Sequence, residues 1–232
     1  MKIISLYCII KPEVIITAGE NKQFRLKASN NLSDVLLETN KIKKGVGAFD
    51  KIKQYFIDES FSDFTKLINC TKPYTTKNHY KLNLIQLYNT NTYEIRGIKV
   101  SVELGDTEAN PIQYLVFTIN NEALITNVRY SLPKYNYEDF LDDESDTLDI
   151  QRKQKILNFL ELFATAYNKK DIPFLEKIYS DDALIITGTI INKKPEFNDL
   201  ITSINVPEKI IKYRKMTKTG YLNHLKNKIF PL

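Results

Sequence analysis

The sequence predicts an α+β fold, and three observations carry that expectation. Two short helical patterns fall within residues 49–71. A run of alternating strands then occupies residues 80–132, punctuated by turn-type residues at 89–92 and at Asn120 and Asn121. An acid-rich stretch follows, and beyond it residues 149–188 read as helix, short helix, strand. Helices set apart from an antiparallel meander are the mark of the α+β class.

In chain order, residues 1–28 read as strands. The apolar run from Ile3 to Ile10 is stopped by Lys11, Pro12 and Glu13, which suits either a buried first strand or the remnant of an export signal. Val14, Ile15 and Ile16 form a β-branched run, residues 18–21 a turn, and Phe24, Leu26 and Ala28 alternate with charged neighbours as a second strand. Asn31 suits the cap of a brief helix bearing Leu32, Val35 and Leu36. Residues 41–47 read as a basic linker; their two glycines lack the GxxxxGK[ST] order of a phosphate loop. Phe49, Ile52 and Phe56 mark one face of a helix, and Phe61, Phe64, Leu67 and Ile68 mark a second, closed at Thr71, Lys72 and Pro73. Strands follow on Tyr80, Leu82 and Leu84, on Ile98, Val100, Val102 and Leu104, on Leu115, Phe117 and Ile119, and over residues 125–132.

Residues 138–149 hold seven acids and no base. Such a run repels itself and stays solvated, so residues 138–148 are expected to link a domain at 1–137 to one at 149–232. The run lacks the central glycine and ligand spacing of a calcium loop. Ile156, Phe159, Leu160, Phe163, Ala164 and Tyr167 recur at helical spacing and predict the buried face of a long helix. Pro173 suits the first turn of a short helix carrying Phe174, Leu175 and Ile178. Residues 183–188 read as a buried strand and 210–214 as another, and Thr217 suits the N-cap of a last helix bearing Tyr221, Leu222, Leu225 and Ile229. This second region has no meander, and its apolar strand has few neighbours to pair with.

A chain of 232 residues with 43% hydrophobic content can bury one large core or two small ones. The net charge of +5 is diluted by carboxylates, so nucleic acid is not an expected partner, and the basic stretch at 209–228 reads as a solvated strand edge and helix. Cys8 and Cys70 have no CxxC partner and read as two buried thiols, and His79 and His224 are isolated. No HExxH, zinc spacing, nucleophile elbow or dinucleotide fingerprint occurs, so neither a metal nor a cofactor is expected. No apolar run approaches the roughly 18 residues that span a bilayer.

Residues 166–171, Ala-Tyr-Asn-Lys-Lys-Asp, and 179–183, Tyr-Ser-Asp-Asp-Ala, resemble the opening of the nuclear-transport-factor-2-like (SnoaL-like) cone fold. Residues 213–218 and Tyr221-Leu222 look like the lead-in and third helix of uncharacterised Bacteroidetes proteins with such domains. The resemblance implies a curved, cone-like antiparallel sheet packed by helices. It also implies two related units: one nearly whole, with residues 96–132 as its closing strands, and a truncated second. An exported or envelope protein is implied with it.

No catalytic residue is assigned. Phe163, Tyr167 and Tyr221 are the candidate binding residues, because aromatic side chains give a pocket apolar walls, and tyrosine adds a hydroxyl. The reading they support is a non-catalytic binding or scaffold protein, with a small hydrophobic ligand, another protein or a second copy of the chain as candidate partners. The alternative is a small cone-fold isomerase or hydrolase using Asp181 or Asp182 as general base. These two are adjacent in sequence and suit equally the end of a short helix.

Overall fold

The computed structural model describes residues 9–87, 90–103, 111–132, 149–192 and 209–230. The apolar run before Ile9 and the acidic residues 138–148 lie outside these. The chain divides into two compact units, Met1–Lys170 and Asp171–Leu232.

The first unit opens with strand β1 (Glu13–Ala18) and helix α1 (Lys22–Lys43). Two single 3₁₀ turns, Phe49–Lys51 and Lys53–Tyr55, lead to α2 (Asp58–Thr71). Strands β2 (Tyr74–Thr75), β3 (His79–Gln86), β4 (Thr92–Ser101), β5 (Ile112–Asn120) and β6 (Ile125–Tyr130) follow, then helix α3 (Ile150–Asn168). The sheet order is β1-β3-β4-β5-β6, with β2 beside β3 on the same edge of β4. β1 runs parallel to β3, and the other pairs are antiparallel. The α+β class therefore holds. The cone does not: the sheet is open, neither closed nor curved into a cone, and a parallel strand stands at one edge.

One sheet face carries the core. Ile95, Ile98, Val100, Leu115, Phe117 and Ile119 pack with Leu32, Val35 and Leu36 of α1 and Phe64, Leu67 and Ile68 of α2. The core side of β4 changes phase between Ile95 and Ile98, which both point inward. A register shift between Arg96 and Ile98 achieves this, and Gly97 takes the positive φ of 92° that the bulge requires. The bulge thus leaves Glu94 and Arg96 on the opposite face. At the β5–β6 turn, Asn120 Oδ1 accepts from the amides of Glu122 and Leu124, and the left-handed residue is Ala123 (φ 59°) rather than an asparagine.

Two expectations on helices are corrected. Residues 24–28 are not a strand, and the helix does not start at Asn31. α1 starts at Lys22, with the Asn21 side chain capping Phe24 N at 2.9 Å. Its buried face includes Ser29, Ser33, Thr39 and Asn40, and polar members conceal the helical period in the sequence. The predicted helix over Phe49, Ile52 and Phe56 is two 3₁₀ turns, after which Phe56 bridges to Ile125.

α3 turns a different face inward from the predicted one. Lys153, Leu157, Glu161, Thr165 and Ala166 are buried, whereas Ile156, Phe159 and Leu160 are exposed. Thr165 Oγ1 accepts from Tyr130 N at 2.9 Å and Glu161 Oε1 from Leu132 N at 3.1 Å. At the other sheet edge, Ser33 and Ser29 of α1 accept from Val14 N (2.9 Å) and Ile16 N (3.1 Å). Alternate strand amides recur about every 6.6–6.8 Å, and residues four apart on a helix about every 6 Å, so the two repeats mesh. α3 therefore belongs to the first unit, and the units divide after it rather than at the acidic run.

The second unit has helix α4 (Ile172–Ile178), strands β7 (Leu184–Asn192) and β8 (Lys209–Thr217), helix α5 (Lys218–His224) and a closing π turn, Leu225–Ile229. β7 and β8 pair antiparallel as a two-stranded sheet. Thr217 caps α5 as the sequence predicts, accepting from Gly220 N at 3.2 Å, and α4 is capped by Asp171, which accepts from Phe174 N at 3.1 Å.

Candidate functional site

Two places combine chemistry with accessibility, one in each unit. In the first unit, the sheet face opposite the core carries Glu94 and Arg96 from β4, Thr118 from β5, and Asn127 and Arg129 from β6, and α3 adds Glu161. The four charged side chains close a ring of alternating sign. Glu94 accepts from Arg96 at 2.7 Å, Arg96 forks onto both oxygens of Glu161, Arg129 Nε reaches Glu161 at 2.9 Å, and Arg129 NH2 returns to Glu94. Arg129 also donates to Thr118 Oγ1 at 3.1 Å.

Burial pushes the Glu94 carboxyl up, but the guanidiniums of Arg129 and Arg96 outweigh it and hold the group below its ordinary value. Burial pulls Arg96 down, but its bonds to Glu161 and then the charge of Glu94 leave it above its ordinary value. Both carboxylates are therefore committed to guanidiniums and tie β4, β6 and α3 together. Above the ring lies an open pocket of about 440 Å³, lined also by Leu87, Gln154, Lys155 and Asn158. Asn127 Oδ1 is buried there without a hydrogen-bond partner among the described residues. A polar ligand with a donor group would satisfy it.

In the second unit the accessible feature is apolar. Side chains alternate across the β7–β8 ribbon, so Leu184, Ile186 and Ile190 share a face with Ile211 and Tyr213. Their exposures are 64%, 54%, 63%, 49% and 71%. Gly188 pairs with Tyr213 on that face, and a Cβ there would stand 3.0 Å from Ile211 Cγ2. The glycine thus leaves room for Ile211 and Tyr213 to lie across the ribbon. Lys212 and Arg214 occupy the reverse face of β8 and are exposed, whereas Lys215, also exposed, stands on the same face as Ile186, with which it pairs.

The residues singled out in the sequence are distributed between the units. Phe163 and Tyr167 lie on α3, half-buried, with ring centroids 5.0 Å apart and edge to face. Tyr221 is on α5, buried against Tyr179 at 5.6 Å. Asp181 is exposed and paired with Lys218 at 2.7 Å, beside an open surface hollow. Asp182 is exposed and accepts from Ser180 Oγ, which pulls its carboxyl below the ordinary value. Cys70 is a free thiol and donates to Lys169 O at 3.4 Å. Among the described residues no group of His, Cys, Asp and Glu could hold a metal ion, and no helix is long and apolar enough to cross a membrane. Sequence reasoning missed the charge ring. Its signal was present: Glu161 is the sole charge between Lys155 and Lys169, and Glu94 and Arg129 each stand between apolar strand residues.

Comparison with protein-family models, with curated proteins and with solved structures finds no match for this chain. With an open sheet as well, the resemblance to the nuclear-transport-factor-2-like, SnoaL-like fold and to Bacteroidetes proteins is withdrawn. The matching segments 166–171 and 179–183 are the end of one helix and the exit from another, a local likeness on either side of the unit boundary.

Proposed function

We propose that this protein is a non-catalytic binding or scaffold module that engages another protein through apolar surface it keeps exposed. The observation that carries the reading is the β7–β8 ribbon, which presents five large apolar or aromatic side chains on one face. Exposed apolar side chains gathered on one face mark interaction sites. Ile156, Phe159 and Leu160 add a second exposed apolar stripe on the first unit. The carboxylates that general-base chemistry would draw on are engaged, Glu94 and Glu161 by arginines and Asp181 by Lys218. No specific observation favours the isomerase or hydrolase reading.

The test replaces Ile186 and Ile190 by threonine. Because the ribbon face is exposed, each change is expected to alter stability by no more than about 0.5 kcal/mol in urea denaturation. A photo-crosslinker at position 190 is expected to yield a discrete heavier species in producing cells, lost on Ile186→Thr. A stability loss of about 2 kcal/mol or more would mean that the face is packed inside the folded protein, and no crosslinked species would leave the face without a partner. Either result rejects the reading.

A further inference from the structure

We propose that the edge of β7 away from β8 pairs antiparallel with β7 of a second copy of this chain, about a twofold axis at Gly188, and so joins two ribbons into a four-stranded sheet. This pairing rests on reading the ribbon as a binding surface, and goes beyond it by naming the occupant, the edge and the register.

β7 is complementary to itself. Residues 185–191 read Ile-Ile-Thr-Gly-Thr-Ile-Ile, the same in both directions, with Gly188 at the centre. A twofold interface is isologous: residue i of one copy meets residue j of the other, and j meets i. Antiparallel pairing centred on Gly188 therefore sets Ile185 opposite Ile191, Ile186 opposite Ile190 and Thr187 opposite Thr189, each twice. The isoleucines bury apolar surface against one another, and threonines hydrogen-bond across strands. Opposed residues of antiparallel strands point to the same face, so Leu184, Ile186 and Ile190 of both copies gather on one side of the sheet, with Ile211 and Tyr213 in the outer strands. A strand from a different protein needs no such symmetry, and the symmetry is what selects a second copy.

The edges of the molecule differ in how they are protected. Folded proteins block edge strands with charge, proline, bulges or a covering element. Ser29 and Ser33 occupy the outward amides of β1, and Thr165 and Glu161 those of Tyr130 and Leu132 at the β6 edge. β8 carries Lys209, Lys212, Arg214 and Lys215 and no acid. A twofold pair centred on its middle residue, Tyr213, would set Lys212 opposite Arg214 twice, and like charges directly opposite are unfavourable. β7 has none of these devices. It holds no charged residue and no proline, its nine pairs with β8 run without a register shift, and among the described residues β8 is its only strand neighbour. A two-stranded ribbon is marginal in water, whereas sheets of three or more strands with an apolar face hold together, so pairing through β7 supplies the neighbours that the ribbon lacks.

The experiment uses the full chain. Sedimentation equilibrium should show a concentration-dependent dimer, and amide exchange should slow along residues 185–191 as concentration rises. Three variants at the exposed positions 186 and 190 test the register. Ile186→Glu with Ile190→Glu, and Ile186→Lys with Ile190→Lys, each set like charges opposite one another across the axis. Ile186→Glu with Ile190→Lys sets opposite charges there, and would set like charges together in a parallel, in-register pair. The mixed-charge variant should therefore dimerise at least about tenfold more tightly than either of the others. Its dimer also shows that charge at these two positions leaves the ribbon folded. A chain that stays monomeric up to about 1 mM overturns the proposal. So does a mixed-charge variant that associates no more tightly than the other two, assembly that continues past two chains, or exchange that slows elsewhere but not along residues 185–191. The position-190 crosslink should yield a species of two chains. If the chain is monomeric while that crosslink captures a different protein, the second copy falls and the binding surface stands; if the chain is monomeric and no crosslink forms, both fall.

Discussion

Glu94 and Glu161 show how much a single buried charge can organise. Each carboxylate lies between two guanidiniums, and none of the four side chains is more than 11% exposed. Removing one member of such a set leaves buried charge uncompensated and costs about 3–5 kcal/mol. Glu94→Gln is expected to lower stability by that order at neutral pH. The Glu94 pKa is lower in the folded protein than the ordinary 4.5, so the unfolded chain binds the proton first. Its contribution is whole above that value and fades as pH falls through the lowered one. The stability gap between wild type and Glu94→Gln should therefore be widest near about pH 7 and narrow toward about pH 3. Urea titrations across that range check it, and a constant gap would show that the ring is not what Glu94 contributes.

At the scale of elements, the edge strands explain which faces the helices bury. α1 and α3 lie along opposite edges of the sheet, and each meets its strand with two polar side chains four residues apart. An amphipathic reading of α3 picks Ile156, Phe159, Leu160 and Phe163, since it ranks faces by apolarity alone. A buried strand amide without an acceptor costs about 1–3 kcal/mol, enough to turn the polar face inward. Ser29→Ala with Ser33→Ala should cost about 2 kcal/mol or more in total. It should also speed amide exchange at Val14 and Ile16 while leaving β5 protected. Unchanged exchange at those two amides would show that β1 is held by its pairing with β3 alone.

For the whole molecule, the question is where the chain can be cut. α3 supplies Glu161 to the charge ring and Thr165 to the β6 edge, so a cut at the acidic run separates the sheet from its own helix. Residues 1–170 are expected to unfold in one cooperative transition. Residues 1–149 lose Glu161 and should be less stable by at least about 3–5 kcal/mol. Circular dichroism in urea compares the two fragments; equal midpoints would assign α3 to the second unit.

The sequence by itself determined what depends on neighbours along the chain. The order of strands from Tyr80 to Tyr130, helix α2, the stop near Thr71, the cap at Thr217 and the place of Pro173 in the first turn of α4 were all legible. Each rests on side chains acting within a few residues of themselves. Tertiary structure decided the rest. That α1 is one helix from Lys22, that α3 buries Glu161 rather than Phe159, and that the sheet stays open depends on partners far apart in sequence: Ser29 with Ile16, Thr165 with Tyr130, Glu161 with Arg96. The candidate aromatics divided in the same way, with Phe163 and Tyr167 on one unit and Tyr221 on the other. The physical reason is that apolar periodicity measures a preference for leaving water. A buried backbone amide or guanidinium demands a specific partner, and only the folded chain shows which residue supplies it.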